Sequence, residues 1–167
     1  ITNLNKQSFQ ADKKLLEALV GFGAIVEWKN DQLTVSKHLQ NGFQFDATHC
    51  PDLFPPLAVL ASFANSESRI KGVHRLWAKE SNRALTLKQE LGKLGAQIDF
   101  NGDEMVIQPL QSPVTNQVNA CQDHRIAMAC AVFAINGTIP VDIQNAEAVN
   151  KSFPDFFTYL HQLTKNG

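Results

Sequence analysis

The chain has 167 residues, 44% hydrophobic and 19% charged, which is enough for one domain with a core of its own. Fifteen Lys and Arg against sixteen Asp and Glu leave a formal charge of −1, which speaks against a general nucleic-acid or membrane-surface role. No apolar run reaches spanning length, and three scattered cysteines make no disulfide framework, so a reducing cytoplasm is the expected setting.

The apolar spacing predicts a helix over Asp12 to Phe22, then a hairpin across Lys29 to Gln32. Phe43 to Asp46 alternates as a strand does. Leu53 to Phe63 is apolar almost all round and predicts a buried helix, and Arg69 to Val73 a second strand. Ala84, Leu87, Leu91 and Leu94 share one helix face, which ends at Gly95, a residue suited to a left-handed stop. Ala96 to Phe100 and Glu104 to Gln108 flank Asn101-Gly102-Asp103, a strong hairpin signal. Beyond it come a strand at Gln117 to Ala120, a buried helix at His124 to Ile135, a strand at Ile139 to Ile143 and a helix at Phe153 to Leu163.

These elements repeat. A slide of 72 residues puts Leu15 on Leu87, Leu19 on Leu91, Gly23-Ala24 on Gly95-Ala96 and Asp31 on Asp103. A slide of 71 puts Cys50 on Cys121, Asp52 on Asp123 and Ile70 on Val141. The expected fold class is therefore α+β: repeated βαβαββ units, at about 1–36, 43–108 and 117–167, packed in a single domain around buried helices. The first repeat lacks its front half and the third its hairpin, so the expectation is a part of a longer protein.

Charge gathers at two matching stages of the repeat, in Lys79-Glu80-Ser81-Asn82-Arg83 and in Asp123-His124-Arg125. Asp52 and Asp123 each precede a buried helix and read as N-caps, and Ser152-Phe153-Pro154-Asp155 resembles a capping box. Arg125 reads differently. A cation in the first turn of an apolar helix opposes the helix dipole, so an anion that it binds explains it better. Lys79, Arg83, Arg125 and Lys151 would supply positive charge to one anion site, with Glu80 and Asp52 as candidates for proton transfer. The first repeat carries Gln7 and Ser8 where the second has Lys79 and Glu80, so this charge is no requirement of the fold. A four-ligand zinc site from His49-Cys50 and Cys121 with His124 is disfavoured, because adjacent residues of an extended segment point to opposite faces.

Taken in order, Pro51-Asp52, Lys79-Glu80-Ser81-Asn82-Arg83, Leu91-x-x-Leu94-Gly95-Ala96, Asp123-His124-Arg125-Ile126-Ala127-Met128-Ala129 and Lys151-Ser152-Phe153-Pro154-Asp155 resemble the 5-enolpyruvylshikimate-3-phosphate (EPSP) synthase family over essentially the whole chain. The resemblance implies most of the C-terminal domain of a two-domain enzyme with an inside-out α/β barrel fold and no cofactor. The implied reaction moves the enolpyruvyl group of phosphoenolpyruvate to the 5-hydroxyl of shikimate 3-phosphate and releases phosphate.

By motif position, Asp52 would bind the shikimate hydroxyls and act as base, Glu80 would handle the methylene proton, and Lys79 would lie near both reacting groups. Arg83 and Arg125 would clamp the phosphoenolpyruvate carboxylate, His124 would line that pocket, and Lys151 would face the leaving phosphate. Arg75 stands where the family often has an Asn that touches the shikimate phosphate, and Asn82 replaces a common Asp. The implied partners are the two substrates and the N-terminal domain of the same enzyme. A related UDP-sugar enolpyruvyl transferase and a non-catalytic scaffold module are the alternatives.

Overall fold

The computed structural model describes residues 1–77, 79, 82–137 and 140–165. The chain divides into two compact units, residues 1–74 with 97–110 and residues 75–96 with 111–167, so the division runs through the middle repeat. The content is α+β.

The first unit opens with a 3-10 turn, Ala11–Lys14, that leads into α1, Leu15–Phe22. Gly23 stops this helix with φ +101°, and the Ala24 N–H closes on the Leu19 carbonyl. Strands β1 (Ile25–Lys29) and β2 (Gln32–Ser36) then pair as a two-residue hairpin. Asn30 and Asp31 both take positive φ, as the tight turns that suit twisted strands require. β3 (Gln44–Asp46) lies parallel to β4 (Ser68–Lys71), which pairs antiparallel with β6 (Glu104–Gln108), and β5 (Gln97–Asn101) is the outer strand beside β6. Between β3 and β4 runs α2, Phe54–Ser62, preceded by a 3-10 turn at Pro51–Leu53. Phe54, Leu57, Ala58 and Ala61 are wholly buried, as the all-round apolar sequence requires.

The expected strand Arg69 to Val73 ends instead at Lys71. Gly72 turns to φ +107°, with Thr48 backbone where a side chain would stand, and the N–H groups of Gly72 and Val73 both donate to the Asp103 carbonyl. Residues Val73–Leu76 then form a 3-10 turn.

In the second unit, α3 (Arg83–Lys93) repeats the design of α1. Gly95 takes φ +103° and the Ala96 N–H closes on Leu91, 72 residues after its counterpart. β7 (Gln117–Asn119) and β8 (Asp142–Gln144) are parallel, with α4 (His124–Ile135) between them. A 3-10 helix, Ala146–Lys151, and α5, Phe156–Lys165, end the unit. Ala120, Ala127 and Val149 form a small core that Met128, Ile143 and Phe156 flank.

Three expectations shift. The pair β7–β8 follows β3–β4 at a spacing of 73, so Ile143, not Val141, is the counterpart of Ile70. The strand expected from Ile139 begins at Asp142, and Ile139 itself lies outside the described residues. The last helix begins at Phe156 rather than Phe153. Pro154 bars Phe153 from helical geometry, and Ser152 ends the preceding 3-10 helix instead of capping α5.

Candidate functional site

In the second unit the N-termini of α3 and α4 are tied by one ion pair. Arg83 is the first residue of α3 and Asp123 the residue before α4, and both are wholly buried. Arg83 Nε donates to Asp123 Oδ2 at 2.9 Å and Nη2 to Oδ1 at 3.3 Å. Asp123 also accepts the Arg125 N–H at 2.9 Å, so the expected N-cap exists and doubles as a counter-ion. Burial raises the Asp123 pKa, but the Arg83 hydrogen bond and charge, with the Arg125 N–H, outweigh it and hold the carboxyl below its ordinary range.

Asn82 caps α3 in the same way, with its side chain accepting from the Leu85 N–H at 3.3 Å. His124 and Arg125 are the first two residues of α4. His124 is 9% exposed, and its buried Nδ1 makes no hydrogen bond among the described residues. Arg125 is half-buried. Lys151, at the end of the 3-10 helix, donates from Nζ to the Gln122 carbonyl at 2.7 Å, one residue before Asp123. Arg83, His124, Arg125 and Lys151 thus gather around one helix start, where backbone N–H groups and the dipole add positive potential.

The other candidates stand as follows. Lys79 is half-buried, four residues ahead of α3, and Glu80 lies outside the described residues. Arg75 is exposed on the 3-10 turn Val73–Leu76. Asp52 belongs to the first unit, half-buried in the turn that opens α2. It is not the cap that its position suggests: Cys50 holds the cap position of that turn and makes no side-chain capping bond, nor does Leu53 before α2.

Two participants escape a reading of the sequence. The union of Arg83 with Asp123 spans forty residues and has no local signal. Glu90 is 2% exposed on α3, where it accepts from Lys93 Nζ at 2.7 and 2.9 Å and from the Asn119 N–H at 2.7 Å. Its place on the flank of the Leu87–Leu91 stripe was the available sign.

Among the described residues, no helix is long and apolar enough to cross a membrane. Residues 1–160 match the model of the family described as EPSP synthase (3-phosphoshikimate 1-carboxyvinyltransferase). Over 155 residues the chain is 38% identical to the 3-phosphoshikimate 1-carboxyvinyltransferase of Clostridium novyi, covering 93% of this chain and 36% of that protein. Over 161 residues it is 35% identical to the protein of that name from Clostridium acetobutylicum, covering 96% and 37%. An EPSP synthase structure from Acinetobacter baumannii superposes with a TM-score of 0.71 at 23% identity, covering 91% of this chain and 38% of that one, a likeness of fold. The chain therefore spans little more than a third of the length of the curated relatives that it matches. Because the match runs through both charged clusters and nearly every residue between the ends, this chain belongs to the EPSP synthase (3-phosphoshikimate 1-carboxyvinyltransferase) family.

Proposed function

We propose that this chain supplies part of the site of an enolpyruvyl transferase that uses phosphoenolpyruvate and shikimate 3-phosphate. The observation that carries the reading is the gathering of Arg83, His124, Arg125 and Lys151 at the start of α4. A substrate with a carboxylate and a phosphate needs two separate anion clamps, and fixed cations at a helix start bind such groups with little reorganisation. Arg125 takes the phosphoenolpyruvate carboxylate. Arg83 supports it through Asp123, which binds both the Arg83 guanidinium and the Arg125 backbone. Lys151 faces the phosphate, and the unsatisfied imidazole of His124 lines the pocket.

In this reading Glu80 gives a proton to the methylene carbon of phosphoenolpyruvate, which leaves cationic character on the adjacent carbon. The 5-hydroxyl of shikimate 3-phosphate attacks there while Asp52 takes its proton. Return of a methyl proton to Glu80 and departure of phosphate then restore the double bond. Lys79 stabilises the charge that develops between these groups. Arg75 meets the shikimate 3-phosphate. The remaining contacts come from the N-terminal domain that the longer relatives suggest as the partner of this one. Its closure would exclude water.

The test is phosphate release from the two substrates by the whole protein that contains this chain, compared with its Arg125→Gln variant. Loss of a preorganised charge contact should lower turnover by about a hundredfold or more. Equal release by both forms would overturn the assignment.

A further inference from the structure

We infer that Asn119, which no motif of the family singles out, is a positioning residue: it holds the Cys121–Gln122 turn so that the Gln122 carbonyl seats the Lys151 ammonium at the start of α4. The inference rests on the proposed role of Lys151 as the phosphate-facing cation.

Cys121 and Gln122 take φ +50° and +56°, two consecutive left-handed residues with side chains, which is a strained arrangement that needs its surroundings to impose it. Asn119 does so. Its Oδ1 accepts the Cys121 N–H at 2.7 Å and Asn145 Nδ2 at 2.9 Å, and its Nδ2 donates to Gln144 Oε1 at 3.2 Å, so both ends of the amide are engaged. Its backbone N–H is bound by the buried Glu90 carboxylate, which ties the turn to α3. The turn finishes with the Asp123 N–H on the Ala120 carbonyl, and the outward Gln122 carbonyl receives Lys151 Nζ at 2.7 Å.

The same device occurs in the preceding repeat, 73 residues earlier, where Asp46 Oδ1 accepts the Thr48 N–H at 2.9 Å. There Cys50, not the residue after Thr48, precedes the helix turn, and no left-handed pair follows. The left-handed pair belongs to the repeat that carries the lysine.

A lysine on an exposed stem samples many positions, and an ammonium has three donors. One bond to Gln122 fixes the stem and leaves two donors for an anion. Asn119 therefore acts on the anion through Lys151, without touching it.

The test reads the Lys151 ammonium directly by nitrogen-resolved NMR of this chain in cold, mildly acidic solution, with the signal assigned by its absence in Lys151→Arg. The parent should show a protected Lys151 signal. In Asn119→Ala, hydrogen exchange at that ammonium should be about tenfold faster, the factor expected when a hydrogen bond to a charged group is lost. Asn119→Asp keeps an oxygen for the Cys121 N–H and should restore most of the protection.

Unchanged exchange in Asn119→Ala, an unprotected signal in the parent, or equal loss in Asn119→Asp with the fold retained by circular dichroism would each overturn the inference. Should Asn119→Ala not fold, Asn145→Gly keeps the left-handed backbone but deletes the donor to Asn119. It should speed exchange by a smaller factor, and no change there would also overturn the inference. Titration of parent and Asn119→Ala with phosphoenolpyruvate separates the two readings: a parent that binds none refutes the proposed function and leaves the ammonium result to stand by itself.

Discussion

Replacing Asp123 by alanine should nearly unfold this chain, although the side chain is small and sits beside a helix rather than in an apolar core. The carboxylate and its Arg83 partner are both without solvent exposure. Removal of one member leaves a buried guanidinium uncompensated, at a cost of about 3–5 kcal/mol. The lost acceptor for the Arg125 N–H adds about 1 kcal/mol for the cap. The total, about 4–6 kcal/mol, compares with the roughly 5–15 kcal/mol that holds a typical domain together.

Asp123→Asn keeps the oxygen that caps α4 and loses only the charge, so it should recover about 1 kcal/mol relative to alanine. Acid gives an independent sign. The folded carboxyl titrates below its unfolded value of roughly 3.9, so its contribution is complete above that pH and disappears as pH falls through the lowered folded value. The parent should lose stability steeply below about pH 4, and Asp123→Asn should lack that component. Urea unfolding followed by circular dichroism at neutral and acid pH measures all three proteins. A cost under about 1 kcal/mol for Asp123→Ala would refute the reasoning, because an exposed pair costs no more than that.

Four further outcomes are expected. Arg125→Gln should keep the far-ultraviolet spectrum of the parent yet bind phosphoenolpyruvate at least about tenfold more weakly in calorimetry, as loss of one charged contact requires. This chain alone, given both substrates, should release no phosphate in a coupled assay, since closure over a second domain is absent. Gly95→Ala should destabilise by about 1–3 kcal/mol, because φ is +103° and the new Cβ would stand 2.3 Å from the Gln111 carbonyl oxygen. Gly92→Ala, in helical backbone with nothing within 4 Å, should stabilise by about 0.5–1 kcal/mol, and paired thermal melts decide both. A thiol reagent in mildly alkaline buffer should label Cys121 first. Cys50 is buried, and burial pushes the Cys130 thiol up to about 12, so mass spectrometry should find both unmodified until the chain is denatured.

The repeat was legible in the sequence because its signals are local. The left-handed stops at Gly23 and Gly95, the two-residue loops after Lys29 and Asn101, and the all-apolar runs of α2 and α4 each follow from residues within one element. α4 begins and ends where the pattern placed it, at His124 and Ile135. Boundaries failed where a distant group decided them, as when the Asp103 carbonyl drew the Gly72 and Val73 amides out of β4.

The candidate site divides in the same way. The dipole argument isolated Arg125 from its sequence position alone, but nothing near Asp123 foretells Arg83, and nothing near Lys151 foretells the Gln122 carbonyl. Asp52 and Asp123 precede apolar helices alike, yet only Asp123 caps one, because the Pro51–Leu53 turn shifts the first free amides away from Asp52.

The claim on which the function rests is that the start of α4 binds the anionic groups of phosphoenolpyruvate. Amide NMR of this chain during titration with phosphoenolpyruvate addresses it directly. The account predicts shifts concentrated at Asp123 through Ala127, with smaller ones at Arg83 and Lys151, and their loss in Arg125→Gln. Shifts that fall elsewhere, or that persist unchanged in Arg125→Gln, would contradict it.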